Sequence, residues 1–401
     1  MNTITDLRKK NTLVVLKSIM QSGVISKVDV AAQTGLTLMT VNTIINNLVE
    51  KNVLIEQGAA DVSTGRKAVL YALNPSDYYL LGVNIGIGSV TMAVSNLINE
   101  KIDMREIKFS TQNKPDETIA IIKEALRGAL KRHDIKTGNV LGMGVAVPGP
   151  VNEKTGVVYS LPNLKGWEGV PLKDIFEETF DMPVIVEKDT YASVLYLKTC
   201  LEIPYEDVVS LTIKGGIGTG IVLGGNLHRG NNGIAGEIGH VTVVTDGPRC
   251  NCGNLGCLEC YASDLSIENE VKNRIQDGKA CKISYSDANG PLIDDIIAAA
   301  KDGDKLCLSV IQKAAKYLGI AVSNAIKFYD PACFIINSKW VKEISGASEA
   351  VTEVVKEQGI LLPHQENNIV FLYEENAYLM GALSLVSEHA LAEITNNRLI
   401  E

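Results

Sequence analysis

The sequence predicts an α/β protein of two parts, a small three-helix head ending in a β-hairpin and a large body of two similar α/β halves that enclose a cleft. Three observations carry that prediction. Apolar residues recur at helical spacing between residues 11 and 49, punctuated by Gly23 and Gly35. A buried strand, a glycine turn and a second strand occur twice, in YYLLGVNIGIGSVTMAVSNL (78 to 97) and in VVSLTIKGGIGTGIVLGGNLHRG (208 to 230). Charge is also divided: residues 1 to 75 hold eight Lys and Arg against five acids, a surplus of +3, and the remainder is strongly acidic within a net charge of −9. A basic head on an acidic body restricts phosphate contact to the head.

In the head, Leu13, Leu16 and Met20, with Val15 and Ile19 beside them, give a first helix over 11 to 22, closed by Gly23. Ser26 caps a second helix with Asp29 reaching back from three residues on, and Thr34-Gly35 ends it. Thr37 caps a third, in which Val41, Ile44, Ile45, Leu48 and Val49 form the buried stripe. Its opposite face is Met39, Thr40, Asn42, Thr43, Asn46 and Asn47. That face is polar and uncharged, which suits hydrogen bonding to base edges in a major groove. Helix, glycine-containing turn, helix is a helix-turn-helix pattern. VLIE (53 to 56) and AVLYAL (68 to 73) add a hairpin whose tip carries Arg66 and Lys67, a wing suited to a narrow minor groove. A helical subdomain for protein contacts is the competing reading of the same three helices.

Asn74-Pro75-Ser76-Asp77 is a turn-rich linker that sets the head at 1–75 and the body at 76–401. After the first strand pair come a helix, ETIAIIKEALRGALKRH (117 to 133), and a strand, VLGMGVAVPGPV (140 to 151). In the second half a long helix over 305 to 329 leads into the strand CFIIN (333 to 337). The first lobe is expected at about 78–190 plus the C-terminal helix, and the second at about 191–375.

With 46% hydrophobic and 21% charged residues, the chain has an ordinary globular composition. The N-terminus lacks a secretory h-region and no apolar run nears the ~18 residues of a membrane span, so a cytoplasmic protein without membrane association is expected. Thiols in that compartment stay reduced, so eight cysteines point to burial, reactivity or metal. Cys200, Cys281, Cys307 and Cys333 read as core residues, and Cys260 as a spare thiol.

One stretch concentrates chemistry: GEIGHVTVVTDGPRCNCGNLGCLEC (236 to 260) holds a histidine, four cysteines and two glutamates. GEIGH, CNCGNLGCLE, VPGPV (147 to 151) and LPNLKGW (161 to 167) resemble the E-x-G-H, C-x-C-G-x-x-G-C-x-E, P-G-x-V and P-N-L-x-x-W elements of the ROK family (repressor, open reading frame, kinase). The resemblance spans essentially the whole chain, since many members carry a winged helix-turn-helix. It implies a two-lobed, actin-like sugar-kinase fold. From the residues themselves, His240, Cys250, Cys252 and Cys257 supply the three thiolates and one imidazole of a closed, structural Zn²⁺ site. Inert buried thiols are the alternative. His240 can then hold the ion through one nitrogen and donate from the other.

The resemblance further implies sugar contacts at Gly149, Asn163, Asp189, Glu237, His240 and Glu259, with Asp189 in the position of the kinases' catalytic base. Asp189 also suits capping of a helix beginning at Thr190. Where the family reads N-D-A-N, this chain has Lys188-Asp189-Thr190-Tyr191.

The nucleotide elements depart from the family's pattern. D-x-G-G-T-K becomes Asn84-Ile85-Gly86-Ile87-Gly88-Ser89, G-T-G-I-G-G-G becomes Lys214-Gly215-Gly216-Ile217-Gly218-Thr219-Gly220, and the adenosine-side glycine pair becomes Asn337 and Ser338. A neutral asparagine is a poor ligand for Mg²⁺, and bulk at the glycines blocks close approach to phosphate. The expectation is therefore no enzyme but a regulator similar to the xylose-repressor and N-acetylglucosamine-repressor branch: a homodimer or tetramer on double-stranded operator DNA, whose operator affinity a small sugar changes. A neutral sugar is favoured because no cluster of Lys or Arg beyond Lys165 and Lys188 stands near Asp189, and xylose comes first because ECYAS (259 to 263) and the Glu187 context resemble the xylose-repressor branch. An ATP-dependent sugar kinase that kept a head, and a body that binds a partner protein, are the alternatives.

Overall fold

The computed structural model describes residues 4–60, 68–161, 163–283, 290–358 and 368–395. They form two compact units, one of residues 1–189 with 378–401, the other of 190–377.

The first unit opens with α1 (Ile4–Ser22), β1 (Ile25–Ser26), α2 (Lys27–Thr34), α3 (Leu38–Glu50), β2 (Leu54–Ala60) and β3 (Ala68–Leu73). α1 starts seven residues before the periodicity does: residues 6–10 bury little, yet Leu7, Arg8, Lys9 and Lys10 are good helix formers and Asp6 favours the first turn. The caps form as their residues dictate. Asp29 N–H donates to Ser26 Oγ at 3.2 Å, Ser26 Oγ–H donates to Asp29 Oδ2 at 2.6 Å, and Gly35 ends α2 at φ 69°. Val15, Leu16, Ile19, Val30, Val41, Ile45 and Leu48 make the core of the head. Ile25–Ser26 pairs with Tyr71 and Leu70, so the sheet has three strands in the order β1-β3-β2. The wing tip with Arg66 and Lys67 lies outside the described residues.

The same unit continues with β4 (Tyr79–Ile85), β5 (Ser89–Asn96), β6 (Lys101–Lys108), α4 (Pro115–Arg132), β7 (Val140–Val147), β8 (Val157–Val158), β9 (Val170–Pro171), α5 (Leu172–Phe180) and β10 (Val184–Lys188). Its main sheet runs β10-β7-β4-β5-β6, parallel through β10, β7 and β4 and antiparallel beyond. β7 is buried along its whole length, as a strand covered on both faces must be.

The second unit begins with α6 (Asp189–Cys200), followed by β11 (Val208–Ile213), β12 (Ile217–Leu223), β13 (Asn226–Leu227), α7 (Glu259–Ala262), α8 (Asp264–Gln276), α9 (Ile293–Lys301), α10 (Lys305–Tyr329), β14 (Cys333–Asn337), α11 (Lys339–Glu343), α12 (Ser345–Gln358) and β15 (Ile369–Leu372). Its sheet runs β13-β12-β11-β14-β15. α6 starts at Asp189 itself rather than at the expected Thr190. α10 is long and apolar enough to cross a membrane by length and composition, but most of it is buried in this unit's core beside α12.

The chain then adds α13 (Ala377–Glu393) to the first unit. Gly82, Gly142 and Gly144 notch the face of β4 and β7 on which it lies; a Cβ at Gly144 would fall onto the Ala382 backbone. The second unit repeats the device, with Gly218 and Gly220 of β12 bare beneath Thr190 and Val194 of α6. α13 also reaches the head, where Ser387 Oγ–H lies 3.7 Å from Met20 Sδ on α1.

The cysteines only partly follow the core expectation. Cys307 and Cys333 are buried, Cys281 is half-buried, and Cys200 is exposed because it falls at the C-terminal end of α6 where the chain turns out to solvent.

Candidate functional site

On α3, Thr37, Met39, Thr43 and Asn46 are exposed and Thr40, Asn42 and Asn47 half-exposed, with Met39 81% exposed. Thr37 Oγ1 accepts from the Thr40 amide at 3.2 Å and shares a hydrogen bond with Thr40 Oγ1 at 2.9 Å, so this pair fixes the start of the helix. Thr43 Oγ1–H is turned back onto the Met39 carbonyl. Asn46 Oδ1 accepts from Lys27 Nζ at 2.6 Å, and that ammonium also lies 4.9 Å from the Tyr71 ring. Lys27 is a functional candidate that the sequence did not single out; it lies nineteen residues from its partner and only the fold brings it there.

In the second unit the chain from Gly236 to Glu259 folds back on β12. Gly236 adopts φ 79° and Gly239 sits over the Ile217 carbonyl, where a Cβ has no room. The short turn Ile238–His240 holds His240 beside a tight loop. Val243 N–H donates to the Gly256 carbonyl, Cys250 N–H to Asn254 and Gly253 N–H to Cys250. Gly256, at φ 65°, packs so closely on Val244 that no side chain fits. This knot brings together four donors that are as much as seventeen residues apart. His240 Nδ1 is 3.6 Å from Cys250 Sγ, Cys252 Sγ is 3.7 Å from Cys257 Sγ, and the four ligand atoms all lie within 4.8 Å of one another. Thiolates bound to one tetrahedral ion at ~2.3 Å stand about 3.8 Å apart, so the set has the dimensions and the chemistry of a metal site.

Burial pushes the Cys257 thiol up to about 12, whereas the Asn254 amide holds Cys252 below the ordinary thiol range. Cys260 is half-buried, stands outside the four, and is pushed up to about 11 by burial.

His240 turns Nδ1 toward the cysteines and Nε2 toward Glu237 Oε2, 4.0 Å away. Both side chains are partly exposed, so the imidazole can bind the ion with one nitrogen and present the other to a ligand. Glu259, at the start of α7, accepts from the Ile217 amide at 2.9 Å through Oε2, and bare Gly216 gives that carboxylate its room. Glu237, His240 and Glu259 thus all lie on the chain segment that packs on the start of β12.

Gly149, Asn163 and Asp189 belong to the first unit. Gly149 is wedged against Ser160 and Leu161, where any side chain would clash. Asn163 is exposed, and Asp189 is buried between Lys188 and Thr190. Pro162 lies outside the described residues.

At the same end of the second unit's sheet, beyond the β11–β12 turn, the polar groups differ in character. Lys214 Nζ donates to the Glu375 carbonyl at 2.6 Å. Asn337 Nδ2 donates to the Glu374 carbonyl at 3.1 Å while its Oδ1 accepts from the Glu374 amide at 2.7 Å, and Ser338 caps α11. Lys339 pairs with Asp294 at 2.7 Å. In their midst Asp264 buries Oδ1 without a hydrogen-bond partner, and burial, then repulsion from Glu268, pushes its carboxyl up to about 7. In the first unit, Asn84 Oδ1 is likewise buried without a partner.

Residues 80–389 match the ROK family model, and residues 8–55 match a winged helix-turn-helix DNA-binding model. The chain is 28% identical to the xylose repressor of Caldicellulosiruptor bescii, over 98% of this chain and 99% of that protein. It is 32% identical to a glucokinase of Halalkalibacterium halodurans, over 70% of this chain and 85% of that one. Among solved structures it is similar to a ROK family transcriptional regulator, a homolog of the E. coli MLC protein, with a TM-score of 0.80 and 27% identity over 96% of this chain and 97% of that one. The glucokinase match spans 70% of this chain, whereas the two regulators match 98% and 96% of it. The chain belongs to the ROK family and carries an N-terminal winged helix-turn-helix.

Proposed function

We propose that the protein is a sugar-responsive DNA-binding repressor of carbohydrate-utilisation genes. The observation that carries this reading is the joining of two apparatuses in one chain: a capped α3 with an uncharged polar face, and a glycine-built loop that presents Glu237, His240 and Glu259 beside a four-ligand metal knot. Full-length similarity to a xylose repressor supports it. In this reading α3 enters the major groove through Asn42, Asn46 and Asn47, with Thr37, Met39, Thr40 and Thr43 along its edge and Arg66 and Lys67 on the wing. The knot holds a structural Zn²⁺ through His240 Nδ1, Cys250, Cys252 and Cys257; the ion fixes the loop, and the chemistry of recognition stays with the side chains. Glu237, His240 Nε2 and Glu259 then bind hydroxyls of a neutral sugar, xylose first, with Gly149, Asn163 and Asp189 as further contacts. α13, resting on the body's glycine-notched sheet and touching Met20 in the head, is the element through which effector and operator share a coupling free energy. The active species is a homodimer or a tetramer on a palindromic operator.

ATP-dependent phosphorylation is the second reading, favoured by buried Asp189 and by the glucokinase similarity. Against it stand the satisfied Lys214 and Asn337 and the neutral Asn84. A thermal-shift screen of zinc-replete protein against pentoses, hexoses, their 6-phosphates and Mg-ATP separates the two, because a ligand selective for the native state raises its stability. One sugar with a shift, no shift with Mg-ATP, and loss of operator affinity on adding that sugar is the expected outcome. A Mg-ATP shift strengthened by sugar establishes the kinase instead.

A further inference from the structure

A second group of soft ligands lies in the second unit, remote in sequence from the first knot. Cys281 Sγ and Cys307 Sγ stand 3.9 Å apart, and with a carboxylate oxygen of Asp304 their ligand atoms all lie within 4.8 Å of one another. Asp304 positions both cysteines. Its Oδ1 accepts from the Cys307 amide at 2.9 Å and its Oδ2 from the Lys282 amide at 2.7 Å, one residue after Cys281. A carboxylate braced by two amides keeps a second lone pair on each oxygen for an ion, and bracing of this kind is what a ligating carboxylate needs. Asp304 and Cys307 are 4% and 0% exposed, and Asp304 makes no ion pair among the described residues; the nearby ammonium of Lys282 is turned to Asp302 at 2.6 Å.

We propose that Cys281, Cys307 and Asp304 bind a thiophilic divalent cation of the Zn²⁺ class, with water in the fourth position. Three features carry this. The sulfur spacing of 3.9 Å is close to the ~3.8 Å edge of a thiolate tetrahedron and to the 3.7 Å between Cys252 and Cys257 in the first knot. The third ligand is a buried carboxylate without an ion-pair partner among the described residues. Solvent reaches the half-buried Cys281 along the exposed run Gln276–Ala280. On binding, the ion replaces the two thiol protons, which leave to solvent, so the site carries one negative charge before and after and buries no extra charge. Such an ion ties the segment after α8 to the first turn of α10, the central helix of this unit.

The test counts metal in the full-length protein. Protein purified under reducing conditions, loaded with Zn²⁺ and passed through gel filtration is expected to retain two equivalents per chain by elemental analysis and native mass spectrometry. Cys281→Ser and Cys252→Ser are each expected to retain one. If the first knot holds no metal, the wild type retains one equivalent that Cys281→Ser loses and Cys252→Ser keeps, and the present inference stands while the zinc reading of residues 240–257 falls. Retention of a single equivalent unaffected by Cys281→Ser overturns the inference, as does a disulfide between Cys281 and Cys307 in the purified protein. Differential alkylation of the wild type, with Cys281 protected by Zn²⁺ and released by chelator, reads the same site without any variant.

Discussion

The second unit carries two polar clusters on one sheet, and they are built in opposite ways. Around β12 and the knot, Glu237 and His240 are partly exposed with Glu237 Oε2 4.0 Å from His240 Nε2, and Glu259 spends one carboxylate oxygen on the Ile217 amide. Around Lys214 and Asn337, the polar groups are consumed by the protein itself, with Lys214 on the Glu375 carbonyl, Asn337 on both polar groups of the Glu374 backbone and Ser338 on its own helix. A binding site needs positioned groups whose partners are missing until the ligand arrives. In the second cluster Lys214 and Asn337 are already bonded within the protein, whereas Glu237 and His240 are partly exposed, and the proposed reading of sugar sensing without phosphoryl transfer rests on that contrast.

The sharpest way to break the comparison is to remove what keeps the first cluster in place. Cys257→Ser deletes a buried ligand, so metal content should drop by one equivalent and the melting temperature by on the order of 10 °C, taking roughly 2–4 °C per kcal/mol for a domain of this size. The sugar-dependent shift should vanish with it. An unchanged melting curve would mean that the knot is held by its glycines and hydrogen bonds alone.

Next in size is Glu237→Gln, which keeps the shape but removes the charge from a hydroxyl acceptor. A hydrogen bond to a charged group contributes roughly 1.5–3 kcal/mol, so sugar affinity by calorimetry should fall about 10- to 100-fold with metal content intact. Equal affinity in both proteins would exclude Glu237 from the site.

In the head, Asn42→Ala should weaken operator binding by about 1–3 kcal/mol without changing its salt dependence, whereas Lys27→Ala should lower the salt slope by about one. Neither should affect the sugar-induced shift. A loss of sugar response in Asn42→Ala would show that the head has been damaged rather than its base contacts.

Legibility followed distance along the chain. The caps at Ser26 and Thr37 and the strands around each glycine turn were readable because their causes lie within a few residues. The set His240, Cys250, Cys252 and Cys257 was readable because its glycines announce a tight loop. What escaped is long-range: two residues at Ile25–Ser26 recruited by β3, Lys27 drawn to Asn46, and Cys281 brought against Cys307 by Asp304. Residue type also misled at Cys200, whose exposure is set by its place at a helix end and not by its apolar thiol.

The smallest expected effect probes the second cluster. Burial, then crowding by Glu268 and Asp294 that Lys214 and Lys339 only partly offset, raises the Asp264 carboxyl to about 7. Unfolded, the same group titrates near ~3.9. Between those values the folded state holds a proton that the unfolded chain has released, so this residue's contribution to stability falls as pH rises through the window and is level above it. Asp264→Asn keeps the neutral shape at every pH. Stability of the wild type relative to the variant should therefore decline from pH 4 to pH 7 and then flatten, read as paired denaturant midpoints across that range; parallel curves would mean that the carboxyl is solvated. The sign bears on nucleotide as well. A buried site that favours the neutral form of a carboxyl disfavours further buried negative charge, and a polyphosphate set beside Lys214 would have to bring several such charges into it.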